Sequence, residues 1–92
     1  MIRSFKCADT EAISKGIRVR RFVNITAVAR RKLRQLEIAG RLDDLRVPPG
    51  NRLEAIKGDR SGQYSIRINE KWRVCFRWKK AGAEDVEIVD YH

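Results

Sequence analysis

Two stretches in the last third of the chain alternate apolar and polar residues with a period of two, and almost nothing separates them. Tyr64, Ile66 and Ile68 interleave with Ser65, Arg67 and Asn69; after Glu70 and Lys71, Trp72, Val74, Phe76 and Trp78 interleave with Arg73, Cys75 and Arg77. That period belongs to strands buried on one face only. A connection of about three residues between two such strands forces them to be antiparallel. Arg52 to Ile56 reads as a strand before this hairpin, joined to it through the turn Gly58-Asp59-Arg60-Ser61-Gly62. After it, Lys79 to Asp85 reads as a loop and Val86 to Tyr91 as the last strand, completing a meander.

The first half of the chain has a different period. Ile25, Val28, Ala29, Leu33 and Leu36 recur at helical spacing, with Asn24 as the expected N-cap and the end near Gly40. Arg30, Arg31 and Arg34 fall mostly outside that stripe. Residues 9–15 suggest a short helix stopped by Gly16, Ile2 to Phe5 a short strand, and Arg41 to Leu45 one further helical turn. Val47-Pro48-Pro49-Gly50-Asn51 is the clearest breaker. It separates helices from strands and not one domain from another, because neither half alone could bury a core. The expected architecture is α+β, a single domain over residues 1–92 with N-terminal helices packed on a small antiparallel sheet.

Charge narrows the function. The formal net charge is +9, and no acidic residue lies between Glu11 and Glu37. Lys15, Arg18, Arg20, Arg21, Arg30, Arg31, Lys32 and Arg34 all fall in that interval. Such a field attracts nucleic acid, an anionic membrane or an acidic protein, although a solvated helix face would have the same composition. The preponderance of arginine favours phosphate, which guanidinium binds bidentately. No apolar run approaches the roughly 20 residues of a membrane span, and the N-terminal residues lack a signal-peptide apolar region. Two distant cysteines and one histidine suggest neither a disulfide framework nor a metal site. The expectation is a cytoplasmic protein with no membrane partner, no metal and no cofactor.

Chemistry gathers at the other end of the chain. Its only histidine is His92, preceded by Asp90 and Tyr91. Arg67, Arg73 and Arg77 share the sheet face opposite the aromatic row, where they would repel one another and a bound polyphosphate would relieve the repulsion. Arginines that merely keep a sheet face wet are the alternative. Lys57 sits at a strand end near the same surface. Lys57, Arg73, Asp90, Tyr91 and His92 together contain what metal-free RNA cleavage needs. A base takes the 2′-OH proton, cations stabilise the phosphorane, and an acid protonates the leaving 5′-oxygen. Histidine suits either proton-transfer role, its unperturbed pKa being about 6.5. A lone histidine is also often inert.

The blocks Lys57-Gly58-Asp59-Arg60, Gly62-Gln63-Tyr64-Ser65-Ile66-Arg67, Trp72-Arg73-Val74-Cys75-Phe76 and Val89-Asp90-Tyr91-His92 resemble the plasmid-maintenance killer proteins, the HigB branch of the RelE/ParE toxin superfamily. The resemblance covers most of the chain and is strongest over residues 47–92. It implies a compact RelE-like fold and a ribosome-dependent endoribonuclease that cuts mRNA in the ribosomal A site. It also implies neutralisation by a helix-turn-helix, HigA-like antitoxin. Lys57 and Arg73 would neutralise the scissile phosphate, and His92 would act as general acid or base with Asp90 setting its proton state. Tyr91 would position the ribose or stack on a base. Some relatives carry histidine where this chain has Glu54, which leaves Glu54 either as base or as a salt-bridge partner. The basic helix, with Arg30, Arg31, Lys32 and Arg34, would meet ribosomal RNA, the antitoxin or both, and Arg67 and Arg77 would extend the RNA contact. A ParE-like gyrase poison shares the fold but has no expected need for Asp90-Tyr91-His92. A basic RNA-binding module without catalysis would need the charge alone.

Overall fold

The computed structural model describes residues 1–90. Two helices, α1 (Ala8–Ser14) and α2 (Thr26–Ile38), precede four strands: β1 (Glu54–Ala55), β2 (Tyr64–Arg67), β3 (Trp72–Lys79) and β4 (Gly82–Asp90). The strands form one antiparallel sheet in the order β1-β2-β3-β4. Single 3-10 turns at Arg20–Phe22, Leu42–Arg46, Pro49–Asn51 and Gly58–Arg60 make the corners.

The central hairpin forms where the alternation requires it. Asn69 closes it: its Oδ1 accepts the backbone N–H groups of Lys71 and Trp72, each at 2.8 Å. Short polar side chains that bond the backbone two or three residues on are natural turn formers. The aromatic row packs inward, with Trp72 edge-on to Phe22 at 5.4 Å and Phe76 edge-on to Trp78 at 6.5 Å. Phe22, Ile25, Ala29, Leu33 and Leu36 from the helical half meet Ile66, Val74, Phe76, Val86 and Ile88 from the sheet, all of them buried. This layer is the core. Helices therefore cover one sheet face and leave the other to polar residues.

Four expectations give way. Helix α2 begins at Thr26 and not after Asn24, which is exposed and supplies no cap. Ile25 holds the N-cap position because it is buried beneath the helix start, and the Thr26 hydroxyl instead donates to the carbonyl of Phe22 at 2.8 Å. Burial of an isoleucine, worth about 1.5–3 kcal/mol, outweighs a side-chain cap worth about 1.

The expected loop from Lys79 to Asp85 is mostly strand. Lys79 pairs directly with Gly82, and Lys80 and Ala81 turn the chain with φ of 49° and 60°. A two-residue hairpin turn requires such angles, and glycine or asparagine usually supplies them. Here the N-terminal segment fixes the pairing. Residues 2 and 5 bridge β4 in parallel at Ala83 and Val86, with Arg3 N–H donating to Ala83 at 2.7 Å and Ala83 N–H to Met1 at 2.8 Å. Arg3 lies so close over Gly82 that a Cβ there would meet its Nε at 2.5 Å. Ile2 to Phe5 is thus a pair of bridges along the edge of β4 and not a full strand. It shields an edge that would otherwise present unpaired backbone groups. A bulge follows between Cys75 and Arg77, where Asp85 takes φ of 53°.

Lys32, expected on the outward basic face, is buried. It lies three residues after Ala29 and four before Leu36, inside the apolar stripe, where the helix faces the Pro49–Asn51 turn. Its ammonium donates to Asn51 Oδ1 at 2.5 Å. Burial pushes its pKa down, helped by the neighbouring Arg31 charge. Arg30, Arg31 and Arg34 are exposed, as the periodicity requires.

Candidate active site on the open sheet face

Strand register decides which polar residues share the uncovered face. Glu54 of β1 pairs with Ser65 of β2, Ser65 with Cys75 of β3, and Cys75 with Glu87 of β4. One step along, Arg67 pairs with Arg73 and Arg73 with Val89. Side chains two apart on a strand fall on the same side, so Glu54, Ser65, Arg67, Arg73, Cys75, Arg77, Glu87 and Val89 form one surface.

The floor of that surface is small and nearly dry. Ser65 and Cys75 are buried side by side. Burial pushes the Cys75 thiol pKa up, with Arg60 and Arg73 pulling against it and Glu87 adding to it. A neutral, covered thiol is a poor nucleophile, so Cys75 contributes shape and not chemistry.

Around the floor, cations and carboxylates interleave. Arg73 Nη1 stands 3.9 Å from Glu54 Oε1, with the arginine side chain only 15% exposed and the glutamate 52%. Arg60, from the Gly58–Arg60 turn, reaches Glu87 at 3.2 Å and the Gln63 side-chain oxygen at 3.3 Å. Arg77 lies 3.6 Å from Asp85 at the bulge. Gly62, at φ 89°, makes room for it, since a Cβ there would sit 3.0 Å from Arg77 Nη1. The expected cluster of mutually repelling arginines is therefore partly neutralised. Arg67 and Arg73 still face one another across the ladder, an unfavourable like-charge pair that an anion would relieve.

Of the sequence-predicted site residues, Glu54, Arg67 and Arg73 come together here. Lys57 is exposed, three residues beyond Glu54, at the start of the turn that carries Arg60. Arg77 lies on the same face beyond the register shift, toward the Lys79–Gly82 turn. Asp90 pairs with Trp72, one step past the Arg73–Val89 pair, so the alternation places it on the aromatic side, where Lys71 approaches at 3.8 Å. Tyr91 and His92 lie outside the described residues. Arg30, Arg31 and Arg34 are on α2, in the layer on the other side of the sheet.

Sequence reasoning passed over Arg60 and Glu87. Their signals were present: Arg60 closes the Lys57-Gly58-Asp59-Arg60 block, and Glu87 is the polar step in Val86-Glu87-Ile88. Only the register reveals that the two meet.

Chemically, a half-buried guanidinium beside an exposed carboxylate offers a phosphate anchor next to a proton acceptor. Among the described residues no group of three or more histidine, cysteine or acidic side chains gathers in a metal-binding arrangement.

Comparison with known proteins adds a family. The model of the HigB-like toxins, RelE-like toxins of type II toxin–antitoxin systems, matches residues 14–92. Toxin HigB-1 of Vibrio cholerae is 48% identical over 48 residues, 52% of this chain and 50% of that protein. Endoribonuclease HigB of Proteus vulgaris is 37% identical over 41 residues, 45% of each. The chain thus spans about half the length of the curated relatives it matches. Among solved structures, a chain of the YoeB-YefM complex from Staphylococcus aureus superposes with a TM-score of 0.57 at 17% identity, covering 100% of this chain and 98% of that one. The YoeB/ParE toxin from Agrobacterium tumefaciens gives 0.54 at 18% identity, covering 99% and 100%. Those two likenesses establish the fold.

Proposed function

The chain belongs to the HigB-like family of RelE-like toxins from type II toxin–antitoxin systems, and on that premise we propose that it is an endoribonuclease that cuts mRNA on the ribosome and arrests growth. The observation that carries the reading is the Glu54–Arg73 pair on the open sheet face, opposite Arg67. The relative named Endoribonuclease HigB supports the reaction class.

Arg73, with Lys57 and Arg67, binds the scissile phosphate and neutralises the charge that develops on the phosphorane. Glu54 is half exposed, and its Oε1 stands 3.9 Å from Arg73 Nη1. It takes the proton from the ribose 2′-OH, and the oxygen attacks the adjacent phosphorus. The P–O5′ bond breaks, and His92 returns a proton to the leaving oxygen, with Tyr91 positioning the sugar or base. Arg77 guides the flanking strand. The sequence holds one histidine and no second one to pair with it, so the protein is a weak nuclease on naked RNA and the ribosome supplies the positioning. The partner that restrains the toxin is a helix-turn-helix antitoxin, and the working compartment is the cytoplasm.

The test is primer extension on a reporter mRNA in a purified translation system, with and without ribosomes, using wild type, Arg73→Ala and His92→Ala. The expected result is discrete cuts that need ribosomes and disappear in both variants. Undiminished cutting by both variants would remove this site. Absence of cuts by the wild type would redirect attention to gyrase or to simple binding.

A further inference from the structure

Strand β3 gives the open face Arg73, Cys75 and Arg77, two cations with a small buried thiol between them. A nucleic-acid backbone laid along this strand would find a gap at the middle step. Arg60 fills it from another element. From the Gly58–Arg60 turn its Nη1 donates to Glu87 Oε1 at 3.2 Å, and Glu87 is the residue that pairs with Cys75 across the β3–β4 ladder. The charges of Arg60, Glu87 and Arg73 all act on the Cys75 thiol, as they must if they surround the floor. Ser65 and Cys75 are small, which leaves room above them for a guanidinium.

Two neighbours hold this arginine by one corner. Nη1 also donates to Gln63 Oε1 at 3.3 Å, and Gln63 is itself buried. Both bonds therefore use the same nitrogen. Among the described residues Arg60 Nε and Nη2 make no hydrogen bond, and the side chain is 35% exposed. Nε and Nη2 form an edge whose parallel N–H groups match two oxygens of one phosphate. An arginine kept only to brace the turn would do better to present that edge to Glu87, with two bonds in place of one. Here the carboxylate takes the corner and leaves the edge open.

We propose that Arg60 binds a backbone phosphate of single-stranded RNA through its Nε–Nη2 edge, between Arg73 and Arg77, and that Glu87 and Gln63 are the positioning residues that aim it. Arg73 is one same-face step from Cys75 along β3, about 7 Å by strand rise, so the phosphate held by Arg60 neighbours the scissile one. The proposal rests on the nuclease reading for the identity of the anion. It adds a contact away from the bond that breaks, and gives Glu87 a task that its charge alone does not suggest.

The experiment is fluorescence anisotropy with a short labelled single-stranded RNA, fully 2′-O-methylated so that it cannot be cut, titrated with toxin over a range of salt concentrations. Wild type is compared with Arg60→Gln, Glu87→Ala, Glu87→Gln and Arg41→Gln, each checked for an unchanged circular dichroism spectrum. Arg60→Gln should weaken binding by ~10-fold at low salt and lower the slope of log affinity against log salt by ~0.7, the loss of one phosphate contact. Arg41→Gln removes the same charge from an exposed position beside the Leu42–Arg46 turn and should stay close to wild type. Glu87→Ala decides between aim and charge. Removing an acid should tighten RNA binding if only net charge matters, whereas loss of the aiming carboxylate should weaken it by ~3-fold or more, with Glu87→Gln close to wild type because it keeps an acceptor for Nη1. Tighter binding by Glu87→Ala would overturn the proposal. So would equal effects of Arg60→Gln and Arg41→Gln, or no RNA binding by the wild type. The probe cannot be cleaved, so the result decides Arg60 whether or not primer extension bears out the nuclease.

Discussion

The ammonium of Lys32, in the middle of α2, lies 2.5 Å from the side-chain oxygen of Asn51, which is itself fully buried. Asn51 donates in turn to Gln35 Oε1 at 2.8 Å and to the Leu45 carbonyl at 3.1 Å. One asparagine therefore ties the helical half of the chain to the turn that leads into the sheet. The arrangement satisfies a buried charge and a buried carbonyl at once, and polar groups in such places are costly when a partner is lost.

Replacing Asn51 by alanine should accordingly be among the most damaging single changes outside the apolar core. It leaves the Lys32 ammonium and the Leu45 carbonyl without their partner. A loss of about 2–4 kcal/mol is expected in urea unfolding. A loss within ~0.5 kcal/mol would mean that water replaces the asparagine without cost.

Lys32 also predicts a pH dependence. Burial lowers its pKa in the folded protein below the ordinary lysine value of about 10.4. Between the folded value and the unfolded one, the unfolded chain binds more protons. Stability should therefore rise with pH across that alkaline window and be unaffected by this group on either side of it. Lys32→Met should remove the rise, read as a difference between the two proteins' melting temperatures from pH 8 to about 10.5.

Glu54 offers a sharper test of the chemistry than removal of Arg73. Glu54→Gln keeps the size and hydrogen-bonding ability of the side chain but cannot accept the 2′-OH proton. A fall of ~100-fold or more in the single-turnover cleavage rate is expected, with little change in mRNA or ribosome binding. An unchanged rate would reduce Glu54 to an ion-pair partner that holds Arg73.

The two cysteines should separate cleanly under alkylation. Burial opposes ionisation of Cys7, but the Thr10 backbone N–H and hydroxyl, the Asp9 N–H and the Arg21 charge outweigh it and lower its pKa. Cys75 is covered and its pKa is raised. Iodoacetamide at neutral pH should label Cys7 at least ~10-fold faster, followed by intact-mass and peptide mass spectrometry. Equal rates would show that the sheet face opens readily enough to expose Cys75.

Some of this molecule is local and some is not. The hairpin from Tyr64 to Trp78 was legible because its alternation, its short connection and the Asn69 turn all act within fifteen residues. The apolar stripe of α2 was legible for the same reason, as was the family resemblance in blocks of contiguous residues. The strand content of Gly82 to Asp85 was not, because Lys80 and Ala81 carry no turn signal of their own and the N-terminal segment, about 80 residues away, holds the pairing. Lys32 read as a surface cation until the Pro49–Asn51 turn closed over it. On the open face, the sequence placed Arg67 and Arg73 together by counting residues. It could not show that Glu54, Glu87 and Asp85 would interleave with Arg73, Arg60 and Arg77, since those pairs depend on strand register and on a bulge. Periodicity determines which residues face the core, because it is a property of each segment's own geometry. Which charges meet is decided only when distant segments pack, because ion pairs need a separation that no single segment sets.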